Sequence, residues 1–124
     1  MSRILFILTA LVFSLPALAE EYEKGPNGGL MLDVAGIDAE LLTSGTTVTI
    51  NVFKAFSPTP VSTKGYSAAV LITSGAGRET VTLAPSGENS LKGDAKSSIG
   101  PGTTITLTIK TSEGKSGQVK YKTR

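Results

Sequence analysis

An antiparallel β-sandwich of Greek-key-like form, with about seven or eight short strands, is the fold class this sequence predicts. A small barrel is its nearest neighbour among all-β architectures. Three observations lead there. Thr46 to Val52 and Thr103 to Ile109 both alternate, with Val48, Ile50 and Val52 on one face and Thr47, Thr49 and Asn51 on the other. Ile105, Leu107 and Ile109 repeat that pattern in the second segment. Successive side chains of a strand point to opposite faces, so such alternation marks a half-buried strand, and β-branched residues suit it. Beyond the first residues there is no helical periodicity. Turn-forming clusters instead follow one another at short intervals: Ala35-Gly36, Ser44-Gly45, Ser74 to Gly77, Pro85-Ser86-Gly87, Gly100-Pro101-Gly102 and Glu113-Gly114.

The first element is a secretory signal. Arg3 is a positive head, Ile4 to Leu15 is almost wholly apolar, Pro16 breaks the run, and Ala17-Leu18-Ala19 offers a peptidase small residues. The run is too short to span ~30 Å of hydrocarbon comfortably, so cleavage after Ala19 is expected. No cysteine follows it, which excludes a lipoprotein anchor. Residues 20–124 then make one β-sandwich domain with no integral membrane segment. The chain has no Cys, so packing and hydrogen bonds alone must hold it. Export without disulfides points to a bacterial periplasm.

Glu20 to Lys24 is expected to fray. Gly25-Pro26-Asn27-Gly28-Gly29 follows as a tight structural turn: Pro26 fixes φ, while Gly28 and Gly29 permit positive φ. Such a turn also lets the backbone approach another group closely. Strands are predicted next over Leu30–Val34, Ile37–Leu42, Thr46–Val52, Tyr66–Thr73, Glu79–Leu83, Ser90–Lys92, Thr103–Ile109 and Gly117–Lys122. Ala68 to Ile72 is apolar throughout and predicts a strand buried on both faces. Val48, Ile50, Val70, Ile105 and Leu107 should share one core, with Thr47 and Thr106 on the opposite face.

The residue inventory excludes much chemistry. Without His or Cys there is no Ser-His-Asp triad, no thiol nucleophile and no structural zinc site. Ser112-Glu113-Gly114-Lys115 imitates a Ser-x-x-Lys nucleophile pair, but Gly114 and Gly117 predict a surface hairpin there. Asp38 and Glu40 lie two apart and so share a face, as paired glycosidase carboxylates would, but that face is expected to be solvent. Gly75-Ala76-Gly77-Arg78 lacks the Lys-Ser/Thr ending of a phosphate loop. Neither catalytic residues nor a cofactor are expected.

Soft metal ligands are missing, and the acids Glu20, Glu21, Glu23, Asp33, Asp38 and Glu40 have no calcium-loop spacing, so no metal site is expected either. With Arg3 removed, 11 bases face 10 acids, which gives no basic surface for nucleic acid. The acids gather near the N-terminus and the bases near the C-terminus. That is ordinary solvated surface, with the two ends of the domain close together.

One stretch remains for binding. Phe53-Lys54-Ala55-Phe56-Ser57-Pro58-Thr59-Pro60 puts two aromatics and two prolines after the strongest strand. The bland interpretation is that the rings cap one end of the core and the prolines stiffen a connection. The functional one is an apolar contact for a partner, made by Phe53, Lys54, Phe56 and neighbouring Tyr66.

The Gly25 to Gly29 turn, a short strand and then Glu40-Leu41 together resemble small periplasmic proteins met beside heavy-metal efflux systems. They are similar also to the N-terminal region of efflux-pump periplasmic adaptors. Leu83-Ala84-Pro85-Ser86-Gly87-Glu88-Asn89-Ser90-Leu91-Lys92-Gly93 is similar to the Leu-x-Pro-x-x-x-Asn-x-Leu-x-Gly stretch of the same proteins. In those relatives His commonly precedes the opening turn, and here Lys24 stands in that position. The resemblance implies a periplasmic compartment and a β architecture more than an activity. Together with the residue inventory, it leads to the expectation of a non-enzymatic protein that binds a protein or small partner, an accessory of envelope transport or efflux with another periplasmic or envelope protein as partner. The alternative from another class is a structural or adhesive subunit pairing through sheet edges.

Overall fold

The computed structural model describes residues 22–75 and 77–124. The expected signal segment, Glu20, Glu21 and Ala76 lie outside them. Nine strands follow in order: β1 (Glu23–Lys24), β2 (Leu30–Val34), β3 (Ile37–Ser44), β4 (Thr47–Lys54), β5 (Ser67–Ser74), β6 (Gly77–Ser86), β7 (Ser90–Asp94), β8 (Thr104–Lys110) and β9 (Ser116–Lys122). They form one antiparallel sheet in the order β1-β2-β3-β4-β7-β6-β5-β8-β9. β8 lies beside β5 rather than beside β7, and β4 beside β7, so the meander β5-β6-β7 sits in a Greek key.

The sheet curls until β2 packs against β9. Its two halves enclose one core, which includes Ala39, Leu41, Val48, Ile50, Val52, Val70, Leu91, Ile105, Leu107 and Tyr121. The five expected core residues are all fully buried. β6 joins the halves, pairing with β5 from Gly77 to Leu83 and with β7 from Ala84 to Ser86. The eight expected strands are all present. A ninth, β1, comes from the segment expected to fray: Glu23 pairs with Met31 and Lys24 with Leu30.

Tyr22, the first described residue, and the C-terminal residues clasp each other. Tyr22 stacks on Tyr121, its hydroxyl accepts the Lys122 N–H at 3.0 Å, and the Arg124 guanidinium lies 5.9 Å from its ring centre. Tyr121 in turn donates from its hydroxyl to the Ala39 carbonyl at 2.7 Å, tying β9 to β3. Burial pushes the Tyr121 phenol well above its ordinary range, so that donor stays protonated.

Three expectations about faces need correction. Asp38 and Glu40 do share a face, but it is covered rather than solvated; Asp38 is 3% exposed and Glu40 0%. Thr106 is also buried, at 9% exposure, because it sits mid-sheet between Leu71 of β5 and Lys120 of β9. Ala69 and Leu71 are only half-buried, so β5 has one core face rather than two.

Candidate functional site

Gly25 to Gly29 folds as a β-turn closed by the Gly28 N–H on the Gly25 carbonyl at 2.9 Å. Pro26 and Asn27 take its central positions, where a proline-preset φ suits the first. The turn lies over the outer face of β3 and receives a side chain. The Glu40 carboxylate accepts the N–H of Asn27 and of Gly29, each at 2.8 Å, and the Asn27 side-chain amide at 2.9 Å. A buried carboxylate is tolerated when its lone pairs are filled in this way.

The glycines differ in purpose. Gly28 alone of the Gly28-Gly29 pair has positive φ, at 84°. Gly29 is required by proximity, since a Cβ there would be driven into the Leu41 carbonyl oxygen, and one on Gly25 would enter the Glu40 carboxylate. Positive φ at Gly29, as the sequence suggested, is not the reason.

On the same face, one pleat further along β3, stands Asp38. Its cross-strand partners are Asp33 on β2 and Phe53 on β4. One of its oxygens, Oδ2, accepts the Phe56 N–H at 3.2 Å; Oδ1 finds no donor among the described residues. Burial above all, and then the Asp33 carboxylate beside it, push the Asp38 carboxyl up to about 6, against a smaller lowering by the Phe56 N–H. Once Asp38 is protonated, its Oδ1–H can donate to the Asp33 carboxylate, a hydrogen bond that two anions cannot make.

The Phe56 N–H belongs to the β4–β5 connection, which folds back over this face. Ser57 N–H bonds the Lys54 carbonyl at 3.0 Å, closing a β-turn with Ala55 and Phe56 at its centre. Phe56 has φ 62°. That is a position for glycine or asparagine, and a bulky side chain there carries strain. Beyond the turn, the Lys54 N–H bonds the Thr59 carbonyl at 2.8 Å, the Val61 N–H bonds the Val52 carbonyl at 3.0 Å, and Phe53 bridges to Pro60. The loop is therefore pinned on both sides of its tip.

The four expected contact residues separate. Phe56 is 92% exposed, the one large hydrophobic side chain so placed among the described residues. Lys54 is exposed beside it. Lys54 and Tyr66, with Ile37, Val61 and Glu113, line a cleft of about 240 Å³ at this end of the sandwich. Burial, and then the Glu113 charge, raise the Tyr66 phenol. Phe53 does not join them. Strand parity turns it to the outer face, buried against Asp38 and the loop, so it does not cap the core. Neither ring therefore caps the core, which corrects that interpretation, and of the two only Phe56 is exposed as a partner contact would require.

Ser112, Glu113, Gly114 and Lys115 are exposed in the β8–β9 hairpin, as expected, with the Lys115 N–H on the Thr111 hydroxyl at 3.2 Å. Among the described residues no group of three or more ligating side chains is placed to hold a metal ion, and no helix is long and apolar enough to cross a membrane.

Comparison with family models, with curated proteins and with solved structures yields no match.

Proposed function

We propose that this chain is an exported, non-enzymatic binding protein that docks on another envelope protein through the Phe56 loop. The observation that supports this best is the state of Phe56. Its ring is 92% exposed at a backbone angle phenylalanine disfavours, on a loop pinned by its own hydrogen bonds. An exposed aromatic and a strained φ both work against stability, and strain of this kind concentrates at functional sites. The partner suited to it offers an apolar pocket for one ring and an acid for Lys54, since buried aromatic anchors supply most of the energy of such contacts. An accessory of envelope transport, the role expected from the sequence, is a protein of this kind.

The adhesive-subunit reading is the weaker. The edge strand β1 is two residues long and carries Glu23 and Lys24, while β9 carries Lys120 and Lys122, and short, charged edges oppose strand addition.

Photo-crosslinking in the periplasm of the producing cell tests the docking reading. A benzophenone amino acid in place of Phe56 should give one discrete adduct, and the same residue in place of exposed Thr108 on the far sheet should give none. Identical patterns at the two positions, or no adduct at either, would overturn it.

A further inference from the structure

The outer face of β3 holds two carboxylates treated in opposite ways. Glu40 has its lone pairs filled by three donors, whereas Asp38, almost as buried, has one oxygen unserved. Asp33 stands directly across the ladder from it. Opposed like charges in a cross-strand pair repel, and a single proton between them would turn that repulsion into a hydrogen bond. The other Asp38 oxygen holds the loop that displays Phe56. Proton occupancy and loop position therefore meet on one side chain.

We infer that the Asp33–Asp38 pair is a proton-operated latch on the Phe56 loop, clamping it when Asp38 is protonated and easing it when Asp38 is ionised. The inference rests on the docking reading for its purpose but not for its mechanism. Among the described residues, the groups around Asp38 give it no cation to lean on. Glu23 of β1 and Asp33 of β2 repel its anion. Along its own strand the next residue on that face is Glu40, whose acceptors are already engaged. From β4 it meets the ring-bearing Phe53, and from β9 the Tyr121 phenol feels its charge. The covering loop, residues 55–61, contains no charged residue, and Lys54 belongs to the opposite strand face, in register with Ile37.

The direction follows from linkage. Lifting the loop hydrates Asp38 and removes part of the burial that does most to raise it, while the Phe56 N–H that lowers it is lost and Asp33 and Glu23 stay. The open carboxyl therefore lies between the ordinary 3.8 and the value near 6 reached under the closed loop. The closed state binds the proton more tightly, so acid favours closure. The advantage is complete below about 3.8 and is lost as pH rises through about 6. Between the two limits the closed-to-open ratio changes by at most about a hundredfold.

Amide hydrogen exchange read by NMR on the isolated mature protein tests the latch without any partner. After correction for intrinsic exchange, the Phe56 amide should be up to about tenfold better protected near pH 5 than near pH 7.5, while the Ile99 amide, held by the Gly45 carbonyl beyond the far end of β3, should not follow it. Asp38→Asn should abolish that dependence, its carboxamide donating to Asp33 and accepting from Phe56 at every pH. Asp33→Asn is the second variant, should the first fold poorly; removing the neighbouring anion should move the transition to lower pH. Equal protection at both pH values, or an unchanged transition in these variants, would overturn the latch. A pH-dependent loop whose Phe56 position gives no crosslinked adduct would retain the latch and remove the docking reading. An adduct with a pH-indifferent loop would do the reverse.

Discussion

Asn27 holds Glu40 through two hydrogen bonds, one from its backbone at 2.8 Å and one from its side-chain amide at 2.9 Å, across a separation of 13 residues. With the Gly29 N–H on the same carboxylate, the opening turn is a receptor for a buried charge and a lid on the outer face of β3. Glu40→Ala would leave the buried Gly29 N–H and the two partly covered Asn27 donors without this acceptor, and should cost about 2–4 kcal/mol in chemical denaturation. Asn27→Ala removes one bond of three and should cost about 1–2 kcal/mol. A double-mutant cycle of the two should show strong coupling; additive losses would mean that the turn and Glu40 do not work as a unit.

The two adjacent glycines of that turn should respond differently to the same change. Gly28→Ala meets open space and suffers only from its φ of 84°, about 1 kcal/mol. Gly29→Ala drives a methyl group into the Leu41 carbonyl oxygen, so the turn must lift from β3 and release Glu40; the loss should exceed about 2 kcal/mol. Thermal unfolding of the pair decides it, and the reverse ranking would contradict this account of the turn.

Strand positions and the core were legible because alternation in Thr46 to Val52 and Thr103 to Ile109 is a local signal that the tertiary fold does not override. The Leu83 to Gly93 stretch was legible as a motif, and its residues have structural tasks: Leu83 and Leu91 are buried in the core, and the Asn89 amide donates to the Val52 carbonyl at 3.2 Å. What the sequence hid was the covering of an outer face. Alternation assigns Asp38, Glu40, Asn51 and Phe53 to one side but cannot say that a glycine turn and the 54–61 loop lie over it. The signal that could have shown it was present: Gly25 and Gly29 promise close backbone approach, and Asp38 and Glu40 are two acids set among the apolar residues Ile37, Ala39, Leu41 and Leu42. Phe56 was named but not separable from Phe53, since only the turn that follows Lys54 breaks the parity.

Core truncation should follow burial. Ile50→Ala and Leu107→Ala should each cost about 2–4 kcal/mol, and Thr108→Ala, exposed on the outer face, should cost almost nothing. Thr47→Ala should fall between them at roughly 1 kcal/mol, because its hydroxyl donates to Asp94 at 2.7 Å and ties β4 to the end of β7. Equal losses at all four sites in urea titrations would mean that the two faces have been confused.

Global stability should carry the mark of Asp38. Its folded value near 6 lies above its ordinary 3.8, so its contribution favours the fold fully below about 3.8 and is lost as pH rises through about 6. Asp38→Asn removes the buried anion while keeping an acceptor for the Phe56 N–H. The variant should be more stable than the parent above neutrality, by about 1–3 kcal/mol, and the difference should shrink as pH falls towards 4. Unfolding curves for both proteins across that window check it. A variant less stable at pH 8 than its parent would show that the Asp38 charge supports the fold.

The strain at Phe56 allows stability and binding to be separated at one residue. Phenylalanine at φ 62° in the third position of a turn costs about 1 kcal/mol relative to a residue that accepts the left-handed region, and its exposed ring recovers little by packing. Asparagine is at home in that conformation and lacks the entropy penalty of glycine in the unfolded chain. Phe56→Asn should therefore raise stability by about 0.5–1 kcal/mol, seen as a higher midpoint in denaturant with an unchanged slope. Phe56 bonds Asp38 through its backbone N–H and the other bonds that pin the loop lie at Lys54, Ser57 and Val61, so the loop should keep its place. If Phe56 is retained for docking, the same substitution should abolish association with the crosslinked partner. Lys54→Ala, leaving the ring in place, should weaken association by less than tenfold, as expected of a charge at the rim. A less stable Phe56→Asn protein would mean that the ring packs against the loop in solution and serves the fold. A more stable variant with full binding would mean that the contact lies elsewhere on the surface.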